Sequence, residues 1–273
     1  MVDIVIENAD AILTIDPNGT ILKESSIAID NGRIVGLGAA EDISKQFMAE
    51  QTIDGRWKVA IPGLIDTHTH LSQAFQRGLM DEMPLMPWLR KLWVIESKMD
   101  KERYKTGVLL ACLEKVKTGT TCTVDMTSDA DLVAEEAPKS GIRTVIAGVM
   151  SDYPELPGTP VGSKEEEIKQ AEKWYRKYEG ALNGRIHFIF SPVGFPASSP
   201  ELLKEAAVRA RELGARIHTH AAEGPVTRKL CERRYGKGEI ELLEDLDFLG
   251  PDVHLAHCIQ IDDTEVKTIA KYG

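Results

Sequence analysis

The chain shows two rhythms of apolar and polar positions. Over residues 1–58, short runs rich in Val and Ile predict β-strands. The predicted strands are Asp3–Ile6, Ala11–Ile15, Ser26–Asp30 and Arg33–Leu37. Turn residues separate them, and Asn31-Gly32 is the dipeptide typical of a two-residue hairpin. Residues 1–58 are therefore predicted to form a small antiparallel β unit.

After Pro62-Gly63, apolar runs alternate with longer helical patterns, which is typical of β/α units around a parallel sheet. The predicted strands are Val59–His70, Thr120–Met126, Arg143–Met150, Arg185–Val193, Ala215–Ala221 and Asp252–Cys258. Residues 59–273 are thus predicted to be a TIM-like (β/α) barrel of the α/β class. A closed barrel has about eight such units, so about six are present, and the last strands are expected to be missing.

Three helices have recognisable ends. Asp100 is expected to cap a helix that runs to about Lys117. Ser163 with Glu166 forms a capping-box pattern for a helix through Tyr178. Ser199, followed by a proline at the first helical position, is expected to open a third helix.

Composition adds little to the functional picture but excludes some classes. The net charge of −10 argues against general nucleic-acid binding, which needs a basic face. The N-terminus does not resemble a signal peptide, and no run approaches the ~20 apolar residues of a membrane span. The cysteines form no C-x-x-C pair, so a disulfide scaffold is not expected; they are Cys112, Cys122, Cys231 and Cys258. A cytoplasmic location is expected.

The histidines carry the chemical signal. His68 and His70 end the first barrel strand, and residues two apart on a strand share a face. Both imidazoles are therefore expected at the C-terminal mouth of the barrel as metal ligands, although two hydrogen-bonded core histidines would give the same pattern.

Two later strand ends repeat the pattern. His218, His220 and Glu223 end the fifth strand and place a carboxylate beside a candidate ligand, as hydrolytic metal sites require. His254 and His257 end the sixth, and their spacing of three predicts that one of them reaches the site. The remaining histidine, His187, is expected to be structural. Three strand ends that carry histidine indicate a metal site rather than core packing.

The ordered motifs PGLIDTHTH, HTHAAE and LAHC resemble the amidohydrolase superfamily, in particular its S-adenosylhomocysteine and methylthioadenosine deaminases, guanine deaminase and triazine hydrolases. The resemblance covers essentially the whole chain and implies that residues 1–58 are half of a small β-sandwich. It implies that His68, His70 and His220 bind one divalent metal, zinc or else iron. Glu223 would be the acid/base, and His257 would contact the attacking water or the substrate oxygen.

The implied reaction is hydrolysis of a nitrogen heterocycle. The ion lowers the pKa of its water to about 7, hydroxide attacks a ring carbon that bears an amine, chloride or other leaving group, and Glu223 shuttles the proton. Trp88 and Glu96 fall where the nucleoside deaminases keep a tryptophan and a ribose-binding glutamate. Packing for Trp88 and a solvated helix face for Glu96 are the alternatives.

Two departures from the family pattern qualify this hypothesis. The fourth ligand of the family is an aspartate on the eighth strand, and no residue after Cys258 is expected to supply it, because Asp262 and Asp263 look like helix caps. The chain alone is therefore expected to be inactive, and either a C-terminal partner segment completes the barrel or the protein is a fragment. Val193 stands where the nucleoside deaminases have a histidine, which brings this stretch closer to the triazine hydrolases.

Two rival functions remain. One is the opening of a cyclic amide by two metals that a carboxylated lysine bridges, but residues 185–193 contain no lysine. The other is a non-catalytic metal-binding or assembly protein, which would not need Glu223. By analogy with the family, a homo-oligomer is expected, with a small heterocycle as substrate and neither nucleic acid nor membrane as a partner.

Overall fold

The computed structural model describes residues 1–153 and 161–273 and divides the chain into two compact units, Met1–Gly63 and Leu64–Gly273. The first unit contains one helix and five strands, which are β1 (Val2–Leu13), β2 (Ile21–Asp30), β3 (Arg33–Ala39), α1 (Ala40–Gln46), β4 (Ala49–Asp54) and β5 (Val59–Ala60).

The first unit differs in two respects from the antiparallel unit that the sequence predicts. The two predicted strands before residue 16 are one strand, β1, whose pairing with β2 shifts register between Ile6 and Ala9, next to Asn8 with φ of 56°. Strands β4 and β5 pair parallel to β1, so the sheet is mixed. The predicted hairpin is confirmed: Asn31 and Gly32 both have positive φ and join antiparallel β2 and β3.

The second unit is a parallel sheet whose six strands follow one another in chain order. The strands are β6 (Leu64–Thr69), β7 (Thr120–Thr127), β8 (Arg143–Met150), β9 (Ile186–Pro192), β10 (Ile217–Ala221) and β11 (Val253–His257). All six predicted strand regions contain a strand of this sheet. The first is divided, because Val59–Ala60 pairs with β1 and only Leu64–Thr69 joins the parallel sheet.

Helices connect the strands of the second unit. They are α2 (Leu85–Glu96), α3 (Lys101–Lys117), α4 (Ala130–Glu136), α5 (Lys164–Tyr178), α6 (Ala181–Gly184), α7 (Pro200–Glu212), α8 (Pro225–Tyr235), α9 (Glu239–Asp245) and α10 (Asp263–Tyr272). The predicted caps are confirmed: Asp100, Ser163 and Ser199 each accept a backbone N–H from the first turn of their helix. Of the described helices, none combines the length and apolarity needed to cross a membrane.

Strand β9 shows how the sequence builds the layers of the barrel. Phe188 and Phe190 lie on one face of β9, are fully buried, and pack against the aromatic rings of α5. Burying one such side chain stabilises the fold by about 1.5–3 kcal/mol. Between them, Ile189 faces the other way and joins a cluster with Met126 and Ala147 on the neighbouring strands. The sheet therefore has an outer helical layer and an inner apolar layer, as in a (β/α) barrel.

Candidate metal centre

The imidazole of His68 lies at the centre of a group of histidines. Its ring centroid is 5.0 Å from those of His70 and His218, 4.9 Å from that of His220 and 5.1 Å from that of His257. These rings lie on β6, β10 and β11 or, for His70, on the residue that follows β6, so the sheet curls until its first strand faces its last two. The strand-end histidines that the sequence singles out therefore converge at one place.

Backbone carbonyls fix the tautomers of two of these rings. Nδ1 of His70 lies 2.9 Å from the carbonyl oxygen of Met126, and Nδ1 of His220 lies 2.7 Å from that of Val193. Because a carbonyl oxygen only accepts hydrogen bonds, each Nδ1 must carry the hydrogen. Each Nε2 therefore presents a lone pair when the ring is neutral.

Burial keeps these histidines neutral. It lowers the pKa of His70 and lowers that of His220 well below the usual value, and the neighbouring imidazoles add to the effect at His220. The pKa of His68 is lowered to about 4, first by burial and then by His70 and His257. Neutral imidazole is the form that binds a metal ion.

The two Nε2 lone pairs of His70 and His220 face each other at 3.4 Å. Neither nitrogen can donate to the other in these tautomers, so a cation between them would satisfy both. Two zinc–nitrogen bonds of about 2.0–2.1 Å at a tetrahedral angle place the nitrogens about 3.4 Å apart. The donor set therefore fits a tetrahedral first-row metal ion.

His68 and His257 bring further nitrogens to the same place. Among the described residues, His68, His220 and His257 each offer a ligand atom within 4.8 Å of the others. His257 stacks on His220 with 5.3 Å between centroids and 12° between planes. His70 approaches this group through Nε2 of His220, and His257 is a histidine that the sequence expected to contact the water or the substrate rather than the metal.

His257 reaches this point because the strand ends there. Its φ is 76°, and that of Cys258 is 50°, so side chains no longer alternate as in a regular strand. His254 lies three positions before His257 on the same strand. Its ring stacks on that of His218, with 4.6 Å between the ring centroids. Among the described residues, His257 and not His254 belongs to the group whose ligand atoms lie within 4.8 Å of one another, and that one of the two reaches the site stays a prediction.

Glu223 lies beside His257. Its Oε1 is 3.6 Å from Nε2 of His257, and the two side chains are 31% and 25% exposed, so both are accessible to a small molecule. Burial raises the pKa of Glu223, while the nearby His257 opposes this shift. A carboxyl group in this setting is suited to carry a proton.

The two predicted substrate-binding residues lie on α2. The half-buried Glu96 accepts a hydrogen bond of 3.1 Å from Nε2 of Gln73, which stands three residues after His70, and burial raises the pKa of Glu96. A freely solvated helix face is therefore wrong for Glu96. Trp88 is half-buried on the same helix. Contact of either residue with a substrate stays a prediction.

Two buried acids beside the centre have no signal in the sequence. Asp125 on β7 is fully buried and accepts a 2.7 Å hydrogen bond from the backbone N–H of Leu71, the residue after His70. Glu239 on α9 accepts a 2.8 Å hydrogen bond from the N–H of Ala222, the residue before Glu223.

Two other residues considered in the sequence lie outside the centre. His187 pairs with Glu179 at 2.8 Å, and Asp262 caps α10 as predicted.

Known proteins are similar to this chain in sequence. Residues 59–273 match the Amidohydrolase family. The 5'-deoxyadenosine deaminase of Methanopyrus kandleri is 39% identical over 93% of this chain and 58% of its own length. The 5-methylthioadenosine/S-adenosylhomocysteine deaminase of Thermococcus onnurineus is 35% identical over 92% of this chain and 57% of its own. The chain thus spans somewhat under three fifths of the length of these two relatives.

A solved structure agrees with the fold. Atrazine chlorohydrolase from Arthrobacter aurescens TC1, complexed with zinc, superposes with a TM-score of 0.88 at 25% identity, over 99% of this chain and 64% of its own. The match over residues 59–273 includes every strand of the parallel sheet and all the histidines of the centre. The chain belongs to the amidohydrolase family.

Proposed function

We propose that this protein is a zinc-dependent aminohydrolase that removes an amine from a nitrogen heterocycle. The observation that carries the proposal is the convergence of neutral imidazoles from three strand ends, with Glu223 at 3.6 Å from His257 on the open side. The names of the relatives, which are deaminases of adenosine derivatives, support an amine on a purine as the leaving group.

His68, His70 and His220 are the residues proposed to hold the ion. A bound zinc would supply a water whose pKa is lowered to about 7. The carbonyls of Met126 and Val193 orient the rings of His70 and His220, so that these ligands are in place before the ion arrives. Zinc in the related chlorohydrolase supports this choice of metal over iron.

The chain's own residues would then move the proton. Glu223 is proposed to give its proton to the ring nitrogen, to take a second proton from the oxygen added by the attacking water, and to pass that proton to the departing amine; its raised pKa favours this exchange. His257, beside it, is proposed to hold the oxygen of the substrate or of the water.

A second candidate is the removal of chloride from a triazine. One observation favours it: Val193 occupies the position at which the family resemblance expects a histidine in nucleoside deaminases, and this residue contacts His220 through its carbonyl oxygen. The two candidates share the metal, Glu223 and His257, and differ in the leaving group.

The test combines zinc content with turnover by the protein in its natural form. We expect about one zinc per chain, and release of ammonia from 5'-deoxyadenosine, methylthioadenosine or guanine. Chloride release from a chlorinated triazine would support the second candidate. Hydrolysis of a cyclic amide such as dihydroorotate, without attack on any of these, would overturn both, as would zinc-loaded protein that turns over nothing.

Variants separate binding from catalysis. Glu223→Gln should keep the zinc and lose turnover by about 100-fold or more, which corresponds to removal of a general acid/base. His220→Ala should lose both. His187→Gln is the matched control, because His187 also lies on a strand of the same sheet but outside the centre.

The mass of the protein in solution will test whether it forms the predicted homo-oligomer or binds a partner segment.

A further inference from the structure

The two turns that carry Glu223 and His257 are hydrogen-bonded to each other. The carbonyl of Ala221 accepts the N–H of Cys258 at 2.9 Å. The carbonyl of Ala222 accepts two N–H groups, from Ile259 at 3.1 Å and Gln260 at 2.8 Å. The turn after β10 and the turn after β11 thus behave as one backbone unit.

This unit is held in an unfavourable conformation. Ala222 has φ of 49°, and on the other turn His257 and Cys258 have φ of 76° and 50°. All three lie in the left-handed region, which residues other than glycine adopt rarely. Such conformations persist only where surrounding contacts impose them, so a contact that holds Ala222 also sets the direction of Glu223.

The remaining backbone group of Ala222, its N–H, is bound by Glu239. Oε2 of Glu239 accepts this hydrogen bond at 2.8 Å, and the glutamate is only 4% exposed. Glu239 is the first residue of α9. Its other oxygen, Oε1, is buried and has no hydrogen-bond partner among the described residues. A buried acid therefore holds the backbone N–H of the residue before Glu223.

A neighbouring side chain holds the other end of the same turn. Thr227, on the first turn of α8, donates from Oγ1 to the carbonyl of Gly224 at 2.8 Å. Its side chain also lies beside the Glu239 carboxylate. Glu223 is thereby held from the residue before it and the residue after it, while its own side chain is left free to face His257.

We propose that Glu239 is a positioning residue that, through the amide of Ala222, fixes Glu223 opposite His257. The inference rests on the proposed function, in which Glu223 carries the proton. A glutamate suits this task because its side-chain oxygen reaches the N–H of Ala222 and accepts its hydrogen bond. An apolar side chain would leave the N–H of Ala222 buried without a partner and release the turn.

The test compares Glu239→Met with Glu239→Gln and with a matched control, Glu136→Met. Glu136 is also a buried glutamate on a helix, 2% exposed, but it pairs with Lys139 and Lys105 on the outside of the barrel. Three quantities are measured: zinc per chain, kcat and KM for the substrate found above, and hydrogen exchange of segments 217–224 and 257–261 by mass spectrometry.

For Glu239→Met we expect faster exchange in both segments, unchanged zinc, and kcat lowered about 10–100-fold with KM within about twofold, which is the usual range for loss of an outer-shell partner. Glu239→Gln should keep kcat within about threefold, because its amide oxygen can accept from Ala222. Glu136→Met should change neither the exchange of these segments nor kcat. If Glu239→Met does not fold, Glu239→Asp, whose carboxylate cannot reach as far, should show the same changes at smaller size.

The inference is overturned if Glu239→Met, or the Asp variant in its place, exchanges like the wild type in segment 217–224 or loses no more kcat than the control. Failure of the proposed function looks different. In that case the wild-type protein itself shows no turnover on any substrate of the panel, while the exchange measurement still reports whether Glu239 holds Ala222.

Discussion

Nδ1 of His68 lies 2.9 Å from Nε2 of His218, a fully buried histidine two residues before His220 on β10. If Nε2 of His68 binds the metal, its Nδ1 carries the hydrogen and donates to His218. His218 would then fix the tautomer and the orientation of the His68 ring. The carbonyls of Met126 and Val193 fix those of the other two proposed ligands, His70 and His220.

The first prediction follows from this pair. His218→Phe removes the acceptor but keeps a ring of similar shape, so His68 should lose its orientation, and zinc affinity should fall by about 10–100-fold. Competition with a chelator of known affinity measures the change. His187→Gln, on β9, should leave the affinity as it is. An unchanged affinity in His218→Phe would show that the His68 ring is held by other contacts.

The second prediction concerns pH and Asp125. Burial raises the pKa of this carboxyl to about 7, against the hydrogen bond from Leu71 and the charge of Lys115, which lower it, while Asp66 raises it. The folded protein therefore binds a proton between about pH 4 and 7 that the unfolded chain releases. This stabilising contribution is complete below about pH 4 and is lost as pH rises through 7.

Asp125→Asn removes this titration, since its amide oxygen can still accept from Leu71. The free energy of unfolding of the wild type, relative to the variant, should fall by about 2–3 kcal/mol between pH 5 and pH 7.5, because each pH unit below the folded pKa contributes about 1.4 kcal/mol. Urea unfolding of both proteins with chelator present gives this difference. Parallel pH dependences would mean that Asp125 is ionised in the folded protein.

The third prediction concerns Gly107 on α3. A Cβ at this position would lie 2.1 Å from the backbone oxygen of Ser72, which stands two residues after His70. Alanine usually stabilises a helix relative to glycine, by about 0.5–1 kcal/mol. Here the overlap is with backbone that cannot rotate away, so Gly107→Ala should destabilise the protein by about 1–3 kcal/mol and weaken zinc binding.

Thr106→Ala, at the exposed position next along α3, is the control and should change neither property. Thermal unfolding and zinc titration of the two variants measure the effect. A stabilised Gly107→Ala with normal zinc binding would contradict the close approach of α3 to the segment after His70.

The fourth prediction tests Glu96 as the ribose-binding residue. Glu96→Gln removes a charged acceptor worth about 1.5–3 kcal/mol in a hydrogen bond. KM for 5'-deoxyadenosine should therefore rise by about 10-fold or more, whereas KM for guanine, which has no ribose, should stay the same. Equal changes for the two substrates would assign the effect to the packing of Gln73 and the segment after His70.

The strands, the helix caps and the histidine pattern were predictable because they depend on neighbours in sequence. Asp100, Ser163 and Ser199 each accept a hydrogen bond from a backbone N–H in the first turn of their own helix. Each cap therefore depends only on residues close in sequence. The pairing of His68 with His70 on one face depends only on the alternation of a strand.

The parts that were not predictable depend on distant contacts or on exceptional backbone. Strand β1 continues past Asn8 because β2 pairs with it on both sides of that residue. The pattern of Val and Ile residues cannot reveal the register shift between the two paired segments. The parallel placement of β4 and β5 needs long-range pairing with β1. The inward turn of His257 depends on positive φ, and the contact of Glu239 with Ala222 joins residues 17 apart through a loop and a helix.

The order of the strands has a consequence for biosynthesis. His68 and His218 are separated by 150 positions, and the strands of the parallel sheet lie side by side in chain order from β6 to β11. At about 5–20 residues per second of translation, the first histidines leave the ribosome roughly 8–30 seconds before their partners. No ion can therefore bind to His68, His70 and His220 together until β10 has been synthesised. The complete set of proposed ligands exists only when β10 lies in the same sheet as β6, so metal binding depends on the pairing of strands that are distant in sequence.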